Sequence, residues 1–262
     1  MPKVSICIPA YKDRDGLERL LNSIVKQNFT DYEVIISDDV SKVSVNSSDK
    51  SQDLLEDVAM RFKEQLGDRL IYKKHISTGR PGDNWNSSIE NAKGEYIKMM
   101  LHDDWFTDED SLSEFIRLLE DNNAAFAFSG TWEVSSDWRY ARHILKEDAA
   151  FIEKDIRNLY LKSVIGAPSA TIYRNIGLKF DPKLKWLIDM EFYIRIIEEG
   201  GSMCYTTKPL MSIGRSDSQM TSYCLLHPNL VRREYYYVYK KLGLKADPKY
   251  KEYLLSQLKK PH

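Results

Sequence analysis

The sequence has little of what several common classes of protein require. Its three cysteines, Cys7, Cys204 and Cys224, are an odd number at wide spacing, and Cys7 lies within an apolar run. This usage indicates neither a disulfide framework nor a cysteine zinc site, and it fits a reducing cytoplasm. The 38 basic and 39 acidic residues leave a formal net charge of -1, without the basic excess that nucleic acid attracts. We therefore expect no nucleic-acid partner.

Long hydrophobic segments are also missing. No apolar stretch approaches the roughly 20 residues that a membrane-spanning helix needs. No charged segment followed by an apolar one opens the chain, as it would in a secretory signal peptide. We therefore expect a cytoplasmic protein that is neither secreted nor membrane-spanning. Contact with the inner face of the cell membrane stays open as an alternative.

Two nucleotide-binding motifs are absent as well. No Gly-x-Gly-x-x-Gly follows the first apolar run, and no Gly-x-x-x-x-Gly-Lys-Ser/Thr occurs anywhere in the chain. The first motif places a dinucleotide against a helix N-terminus, and the second holds the phosphates of a nucleoside triphosphate. A dehydrogenase and an ATPase therefore lose their main support.

Apolar runs that predict strands alternate with amphipathic runs that predict helices in the first hundred residues. The segment from Val4 to Pro9 is apolar almost throughout, which is typical of a strand buried on both faces of a sheet. The next segment has apolar residues at helical spacing, from Leu17 to Val25. The alternation predicts an α/β fold with a doubly wound, largely parallel sheet and a nucleotide-sized crevice along its carboxyl edge.

Two of the predicted strands end in paired acids. Asp38 and Asp39 follow one strand, and Asp103 and Asp104 follow another. Ligands of open α/β sheets collect outside the carboxyl ends of the strands, and carboxylates there suit Mg²⁺ or Mn²⁺. Asp103 and Asp104 are therefore candidate metal ligands. The alternative is that the pair caps the next helix, although Asp108 and Asp110 lie closer to its start.

Several of these motifs together resemble family 2 of the nucleotide-sugar glycosyltransferases, of the type that builds bacterial surface polysaccharides. The motifs are Ile-Pro-Ala-Tyr11, Asp38-Asp39, Asn86-x-x-Ile-x-x-Ala-x-Gly-Glu-Tyr-Ile97, Asp103-Asp104, and Phe180-Asp-Pro-x-Leu-x-Trp-Leu-Ile-Asp-Met-Glu-Phe192. The resemblance implies a GT-A type fold, a Rossmann-like three-layer α/β/α sandwich around a mixed, mostly parallel sheet, with C-terminal helices. It also implies inverting transfer of a hexosyl or N-acetylhexosaminyl group from a nucleotide-diphosphate donor, with a UDP-sugar favoured, to a glycan, lipid-linked or protein-linked hydroxyl.

The same resemblance implies one domain over residues 1–262. Residues 1–104 would bind the nucleotide donor, residues 105–225 the acceptor, and residues 226–262 would form a helical tail. No linker or internal repeat in the sequence divides the chain further. A non-catalytic nucleotide-sugar or glycan-binding module on the same fold is the alternative, because two acids common in the family are replaced here by Leu101 and Ile188.

Site residues follow from the resemblance. It assigns Asp104 to a bound Mn²⁺ or Mg²⁺ ion, and Asp103 either to the same ion or to the donor ribose and diphosphate. Asp39 would accept the uracil N3–H, with an Asx turn as the alternative role. The remaining nucleotide-binding candidates are Pro9, Tyr11 and Asp13 beside the base, and Arg80 and Arg215 at the phosphates.

The predicted catalytic base lies in the second half of the chain. Asp189 precedes an apolar helical stripe, and in the resembled family an acid here takes the proton from the acceptor hydroxyl. Glu191 is the rival candidate, although its side chain should project elsewhere around the helix. Simple N-capping by Asp189 is the alternative role.

Two further segments keep alternatives open. Trp138 and Tyr140 lie in a polar connection, where they suit stacking on sugar rings or packing as a small cluster. The C-terminal tail interleaves tyrosines with Arg232, Arg233 and lysines. These helices suit peripheral membrane contact, packing on the core, or a homo-oligomer interface.

Overall fold

The computed structural model describes residues 1–40, 54–216 and 219–259. The polar loop predicted from Val40 to Ser51 lies outside these ranges, except for Val40 itself, which ends a strand. Within the described ranges the strands are β1 (Val4–Ala10), β2 (Tyr32–Val40), β3 (Leu70–Ile76), β4 (Tyr96–Met99), β5 (Trp105–Phe106), β6 (Phe126–Val134), β7 (Arg139–Arg142), β8 (Thr171–Arg174) and β9 (Met203–Gly214). The α-helices are α1 (Arg14–Val25), α2 (Leu54–Leu66), α3 (Pro81–Ile89), α4 (Ser111–Asp121), α5 (Lys146–Lys154), α6 (Ile188–Gly200), α7 (Met220–Leu225), α8 (Pro228–Lys241) and α9 (Pro248–Lys259).

The described strands form one mixed sheet in the order β3-β2-β1-β4-β8-β6-β9-β5, with β7 paired to β6. In the first half of the chain, β1 runs parallel to both β2 and β4, and β2 runs parallel to β3. In the second half the pairs β4–β8, β6–β8, β6–β7 and β5–β9 are antiparallel, and β6–β9 is parallel. The predicted α/β architecture is confirmed, with the parallel pairing concentrated in the first half.

Helices cover both faces of the sheet because β1 and β2 present apolar side chains in both directions. On β1, Ile6 and Ile8 face a core shared with α1, α2 and α4. Cys7, between them, faces a second core shared with α5, α6, α8 and α9. Successive side chains of a strand point to opposite faces, so a strand covered on both sides needs an apolar run without polar alternation.

Two local structures differ from what their residues predict. The glycines and proline of the segment from Ser77 to Asn86 predict irregular structure before a helix at Trp85, yet α3 begins at Pro81. Proline is favoured in the first turn of a helix, where its missing N–H has no partner to lose. The apolar spacing from Ile152 to Val164 predicts one helix, but the chain is interrupted after α5 and continues as a 3₁₀ turn, because Asp155 is extended.

The tyrosines of the C-terminal helices are used mainly for packing. Tyr235 and Tyr239 on α8 and Tyr250 on α9 belong to the second core or pack against it. The Tyr160 hydroxyl donates to the Tyr235 carbonyl oxygen at 3.0 Å. On α8 the large exposed side chain is Tyr236, at 51% exposure. These contacts support the packing role of the C-terminal tyrosines. Separately, none of the described helices has the length and apolar character of a membrane span.

Glu234 on α8 ties this tail to the segment that precedes α6. Its carboxylate accepts backbone N–H bonds from Lys185 at 2.8 Å, Trp186 at 2.9 Å and Leu187 at 3.0 Å. The side chain is buried, with 5% exposure, so the carboxylate depends on these donors in place of water. Helix α8 therefore holds the segment that leads into α6.

Replacing Glu234 by glutamine should destabilise the protein by about 1–3 kcal/mol, because the amide group turns its own N–H towards buried donors that then lose an acceptor. Urea unfolding followed by circular dichroism would measure the change in the free energy of unfolding. Glu252→Gln on the exposed side of α9 is the matched control and should leave it unchanged. Equal stability of the two variants would contradict the anchoring role.

Candidate active site

The acid pair predicted at the sheet edge has one buried member and one partly exposed member. The chain turns after β4 and enters β5, which pairs with β9, so Asp104 lies against the end of β9. Asp104 is completely buried, and its Oδ1 accepts the Gly214 N–H at 3.1 Å. Its Oδ2 is buried with no hydrogen-bond partner among the described residues. Burial raises the pKa of Asp104 well above its ordinary value, with the Asp103 charge adding to the effect.

Asp103 lies beside Asp104 and is closer to solvent. Its Oδ2 accepts from the Gln219 amide at 2.9 Å, and the same amide donates to the Gly214 carbonyl oxygen at 2.6 Å. A side chain at Gly214 would place its Cβ 2.5 Å from the Asp103 carbonyl oxygen. Only glycine allows the end of β9 to come this close, so Gly214 and Gln219 hold the acid pair in place.

These residues fit a divalent cation. Asp104 Oδ2 is a buried carboxyl oxygen without a hydrogen-bond partner among the described residues, and a bound cation would favour the ionised form that burial disfavours. Carboxylate oxygens are hard ligands of the kind that Mg²⁺ and Mn²⁺ prefer. Within the described residues no group of three or more His, Cys, Asp or Glu side chains is placed to hold a metal. Among the described residues the site therefore offers two carboxylates, of which Asp103 is the accessible one.

Arg215, which directly follows β9, lies in the same region. Its Nε donates to the buried carboxylate of Glu133 at 2.5 Å, and its backbone N–H donates to the Val134 carbonyl oxygen at 2.7 Å. The positive charge of Arg215 partly offsets the rise in the pKa of Asp104. The predicted phosphate contact is therefore in electrostatic range of the acid pair, and Glu133 orients its guanidinium group.

Asp39 lies within β2, opposite His75 of β3, and not in the following loop. The alternative role, an Asx turn into the loop that follows, involves Ser41, which lies outside the described residues. Its Oδ2 accepts from the Ser77 hydroxyl at 3.2 Å, while its Oδ1 is buried without a partner among the described residues. Burial raises the pKa of Asp39. Asp38 points to the other face of the sheet, where the Tyr72 hydroxyl donates to it.

Asn84 on α3 is a candidate that sequence reasoning missed. It is 4% exposed, and its amide donates to the Ala10 carbonyl oxygen at 3.2 Å, at the end of β1. Its Oδ1 is buried and has no partner among the described residues. Two unpaired acceptors, on Asn84 and Asp39, therefore lie near the carboxyl ends of β1 and β2. The only sequence signal for Asn84 was its place in the Gly-rich segment.

The other nucleotide-binding candidates lie around these strand ends. Pro9 is buried in β1, and Tyr11 after it is 47% exposed. Asp13 caps α1 by accepting the Gly16 N–H at 3.0 Å, so one of its oxygens is engaged. Arg80, just before α3, is half exposed and forms an ion pair with Asp83 at 2.7 Å. A direct contact of these residues with a nucleotide stays a prediction.

Asp189 and Glu191 differ sharply in environment. Asp189 is the second residue of α6, and its Oδ1 accepts the Met190 N–H at 2.7 Å. Burial of the carboxyl raises the pKa of Asp189 to about 6. Glu191 is completely buried and is bound by Arg195 at 2.5 Å and by Lys241 at 2.7 Å. The geometry favours Asp189 over Glu191 as a proton acceptor, because both cations already neutralise Glu191.

Residues 5–179 match the family model described as glycosyl transferase family 2. The chain belongs to this family. It is 34% identical over 109 residues to a poly(ribitol-phosphate) beta-glucosyltransferase of Bacillus spizizenii, covering 41% of this chain and 16% of that protein. It is 25% identical over 233 residues to an uncharacterized glycosyltransferase of Rickettsia typhi, covering 86% of this chain and 67% of that one.

Solved structures of glycosyltransferases show the same fold. A crystal structure of S. aureus TarS in complex with UDP superimposes with a TM-score of 0.64 at 19% identity, covering 89% of this chain and 65% of that one. A mannosyltransferase from Pyrobaculum calidifontis in complex with GDP-Man and Mn²⁺ has a TM-score of 0.59 at 16% identity, covering 98% of this chain and 69% of that one. The predicted GT-A type fold is confirmed. The chain spans about a sixth of the length of the Bacillus spizizenii relative. It spans about two thirds of the Rickettsia typhi relative and of the TarS structure in complex with UDP.

Asp189→Asn should raise the free energy of unfolding by about 1–3 kcal/mol at pH 8, since each unit of pKa shift corresponds to about 1.4 kcal/mol. The raised pKa of Asp189, about 6, means that ionisation costs the folded state more than the unfolded state. The wild type therefore loses stability as the pH rises through about 6, and the variant does not. Below about pH 4 both states of the wild type bind the proton, and the difference should vanish.

Urea unfolding at pH 8 and pH 4 would measure this difference. Asp31→Asn, at an exposed position before β2, is the control for removing a carboxylate. A pH-independent effect of Asp189→Asn would show that the carboxyl group is not desolvated in the folded protein.

Proposed function

We propose that this chain transfers a hexosyl or N-acetylhexosaminyl group from a UDP-sugar to a hydroxyl of a glycan, lipid-linked or protein-linked acceptor, with inversion, in the synthesis of a bacterial surface polysaccharide. The observation that carries the proposal is the buried Asp104 with an unpaired oxygen, next to Asp103 at the carboxyl edge of the sheet. Family membership and the likeness to TarS structures in complex with UDP and UDP-GlcNAc support it.

Donor recognition would use the two unpaired acceptors at the ends of β1 and β2. Asp39 Oδ1 is available for an N–H donor, such as N3–H of uracil, and a buried carboxylate gains most from a donor that replaces lost water. Asn84 Oδ1 is a second acceptor for the nucleoside. Tyr11, exposed directly after β1, offers a ring surface to the base.

Asp103 and Asp104 would hold a divalent cation, which would supply charge neutralisation for the departing nucleoside diphosphate. Arg215 lies in electrostatic range of Asp104 and offers a further positive charge for a phosphate. Glu133 already fixes the Arg215 side chain. Arg215 would therefore lose little further side-chain freedom on contacting the diphosphate.

Asp189 would act as the catalytic base. Its carboxylate would take the proton from the acceptor hydroxyl as the hydroxyl oxygen bonds to the anomeric carbon, while the bond from that carbon to the diphosphate oxygen breaks. Attack from the face opposite the diphosphate inverts the anomeric configuration. The pKa of Asp189, about 6, makes it a stronger base than an ordinary aspartate while leaving it ionised at neutral pH.

Calorimetric titration with UDP tests the donor site. We expect binding that requires Mn²⁺ or Mg²⁺ and that weakens at least tenfold in both Asp103→Ala and Asp104→Ala, because each removes an oxygen ligand. Asp121→Ala, at an exposed position that ends α4, is the control. Metal-independent binding, or unchanged affinity in both variants, would remove the metal from the proposal. Absence of UDP binding would overturn the choice of donor, with dTDP and GDP as the next nucleotides to test.

Loss of the base should separate transfer from donor binding. Asp189→Asn should reduce transfer of sugar by at least 10³-fold while leaving the affinity for UDP within about twofold, because the residue acts on the acceptor proton. Wild-type transfer should fall to half its maximum near pH 6 on the acidic side, where Asp189 takes up a proton. Radiolabelled transfer from UDP-sugars to bacterial glycan fractions would measure both. Substantial transfer by the variant would contradict the role of Asp189.

A non-catalytic nucleotide-sugar or glycan-binding module is the second candidate. It is favoured by Leu101 and Ile188, which occupy positions where the resembled family often has acids. Metal-dependent UDP binding without transfer to any acceptor fraction would favour this module over the enzyme.

A further inference from the structure

The hairpin formed by β6 and β7 carries a pair of stacked, exposed aromatic side chains. The rings of Trp138 and Tyr140 have centroids 5.3 Å apart and an interplanar angle of 24°. Trp138 is 46% exposed and Tyr140 is 54% exposed. Each ring covers one face of the other, so their outer faces remain available for a flat, partly apolar ligand.

The strand pairing connects this aromatic pair with the residues around the acid pair. Tyr140 lies directly opposite Glu133 in the antiparallel β6–β7 pair, and opposite residues project to the same face. Glu133 is the partner of Arg215. Glu133 and Val134 of β6 lie opposite Ile213 and Gly214 of β9, next to Asp104. The aromatic pair is therefore at the same end of the sheet as the acid pair, with β6 and β9 between β7 and β5.

The other end of β7 leads towards the proposed base. Arg142 is two residues beyond Tyr140, on the same face, and donates to the Ile165 carbonyl oxygen at 3.2 Å. The next residue, Gly166, accepts from the Tyr193 hydroxyl at 3.1 Å. Tyr193 is one helical turn from Asp189 on α6, and the charge of Asp189 contributes to the raised pKa of Tyr193. β7 thus connects the surroundings of the acid pair with those of the base.

We propose that Trp138 and Tyr140 form an acceptor subsite that stacks against a pyranose ring of a glycan acceptor. This inference rests on the proposed function and specifies the chemical class of its acceptor. One face of many pyranose rings consists of C–H groups, which pack on an aromatic ring while the hydroxyl groups stay in water. An exposed aromatic platform beside a glycosyl-transfer site matches such a ring in both size and polarity.

The charges around the hairpin argue for a pyranose rather than a polyol phosphate. An acyclic phosphate polymer has no flat ring to stack and requires several available cations. Here Arg142 donates to the Val164 and Ile165 carbonyl oxygens. The Arg139 guanidinium lies 4.0 Å from the centre of the Trp132 ring. Both arginines of β7 thus already have partners.

Saturation-transfer NMR with chitotriose and cellotriose tests the subsite without a donor or turnover. We expect saturation transfer to at least one of the two from the wild-type protein, reduced at least fivefold in Trp138→Ala. Trp138→Phe should retain most of it, because the ring face remains. Tyr236→Ala, which removes an exposed tyrosine from α8, is the matched control and should not change it. Thermal unfolding of each variant would verify that the fold is intact.

Three results would overturn the subsite. In the first, the wild type gives no saturation transfer, and in the second, Trp138→Ala gives as much as the wild type. In the third, oligo(ribitol phosphate) displaces the trisaccharide and binds with higher affinity. UDP calorimetry on Trp138→Ala separates this inference from the proposed function, since donor affinity should stay within about twofold of the wild type. If saccharide binding depends on Trp138 in a protein that binds none of UDP, dTDP and GDP, the subsite would stand and the proposed transferase activity would be contradicted.

Discussion

A buried carboxylate at the end of a strand is the constraint on which this structure depends. Removing a charged carboxyl group from water is costly unless hydrogen bonds or a cation compensate. Asp104 accepts a hydrogen bond from the Gly214 N–H at 3.1 Å, and this bond joins the turn after β4 to the end of β9. It can form only because Gly214 has no side chain to strike the Asp103 carbonyl oxygen. The remaining oxygen of Asp104 is the reason that the site suits a cation.

The same closure brings the two halves of the chain to one edge of the sheet. β9 ends beside β6, so Arg215 meets Glu133, and Gln219 reaches back to Asp103. The nucleotide-binding candidates come from β1, β2 and the start of α3, whose strands are parallel and end at this edge. The second half of the chain therefore completes a site that the first half begins.

The C-terminal helices support the proposed base from behind. Glu234 of α8 binds the backbone N–H groups that precede α6, and Lys241 of the same helix bridges Asp181 at 2.6 Å and Glu191 at 2.7 Å. These contacts hold both ends of the segment that leads to Asp189. They give the tail a role in positioning the site, which its alternating tyrosines and cations did not indicate.

The succession of strands and helices along the first half of the chain, the two Asp pairs and the helix that carries Asp189 follow from local patterns, because apolar periodicity and strand ends are properties of short segments. Local patterns predicted less well where one residue acts through distant contacts. Pro81 begins α3 instead of preventing it, and Asp155 ends a helix that the apolar spacing would continue. Asn84 and Gln219 have no distinctive spacing, so their roles appear only from what they contact.

The sequence by itself determined the α/β class, the family resemblance and the identity of the candidate acids, since these depend on residue type and on spacing along the chain. Only the tertiary structure decided which acids are free to act. Glu191 lies two residues from Asp189, yet Arg195 and Lys241 neutralise it, and Lys241 is 50 residues further along the chain than Glu191. Likewise Asp103 and Asp104 are adjacent, but packing against Gly214 buries one and leaves the other accessible. Burial and ion pairing are set by residues far apart in sequence, and these determine the charge and reach of a carboxylate.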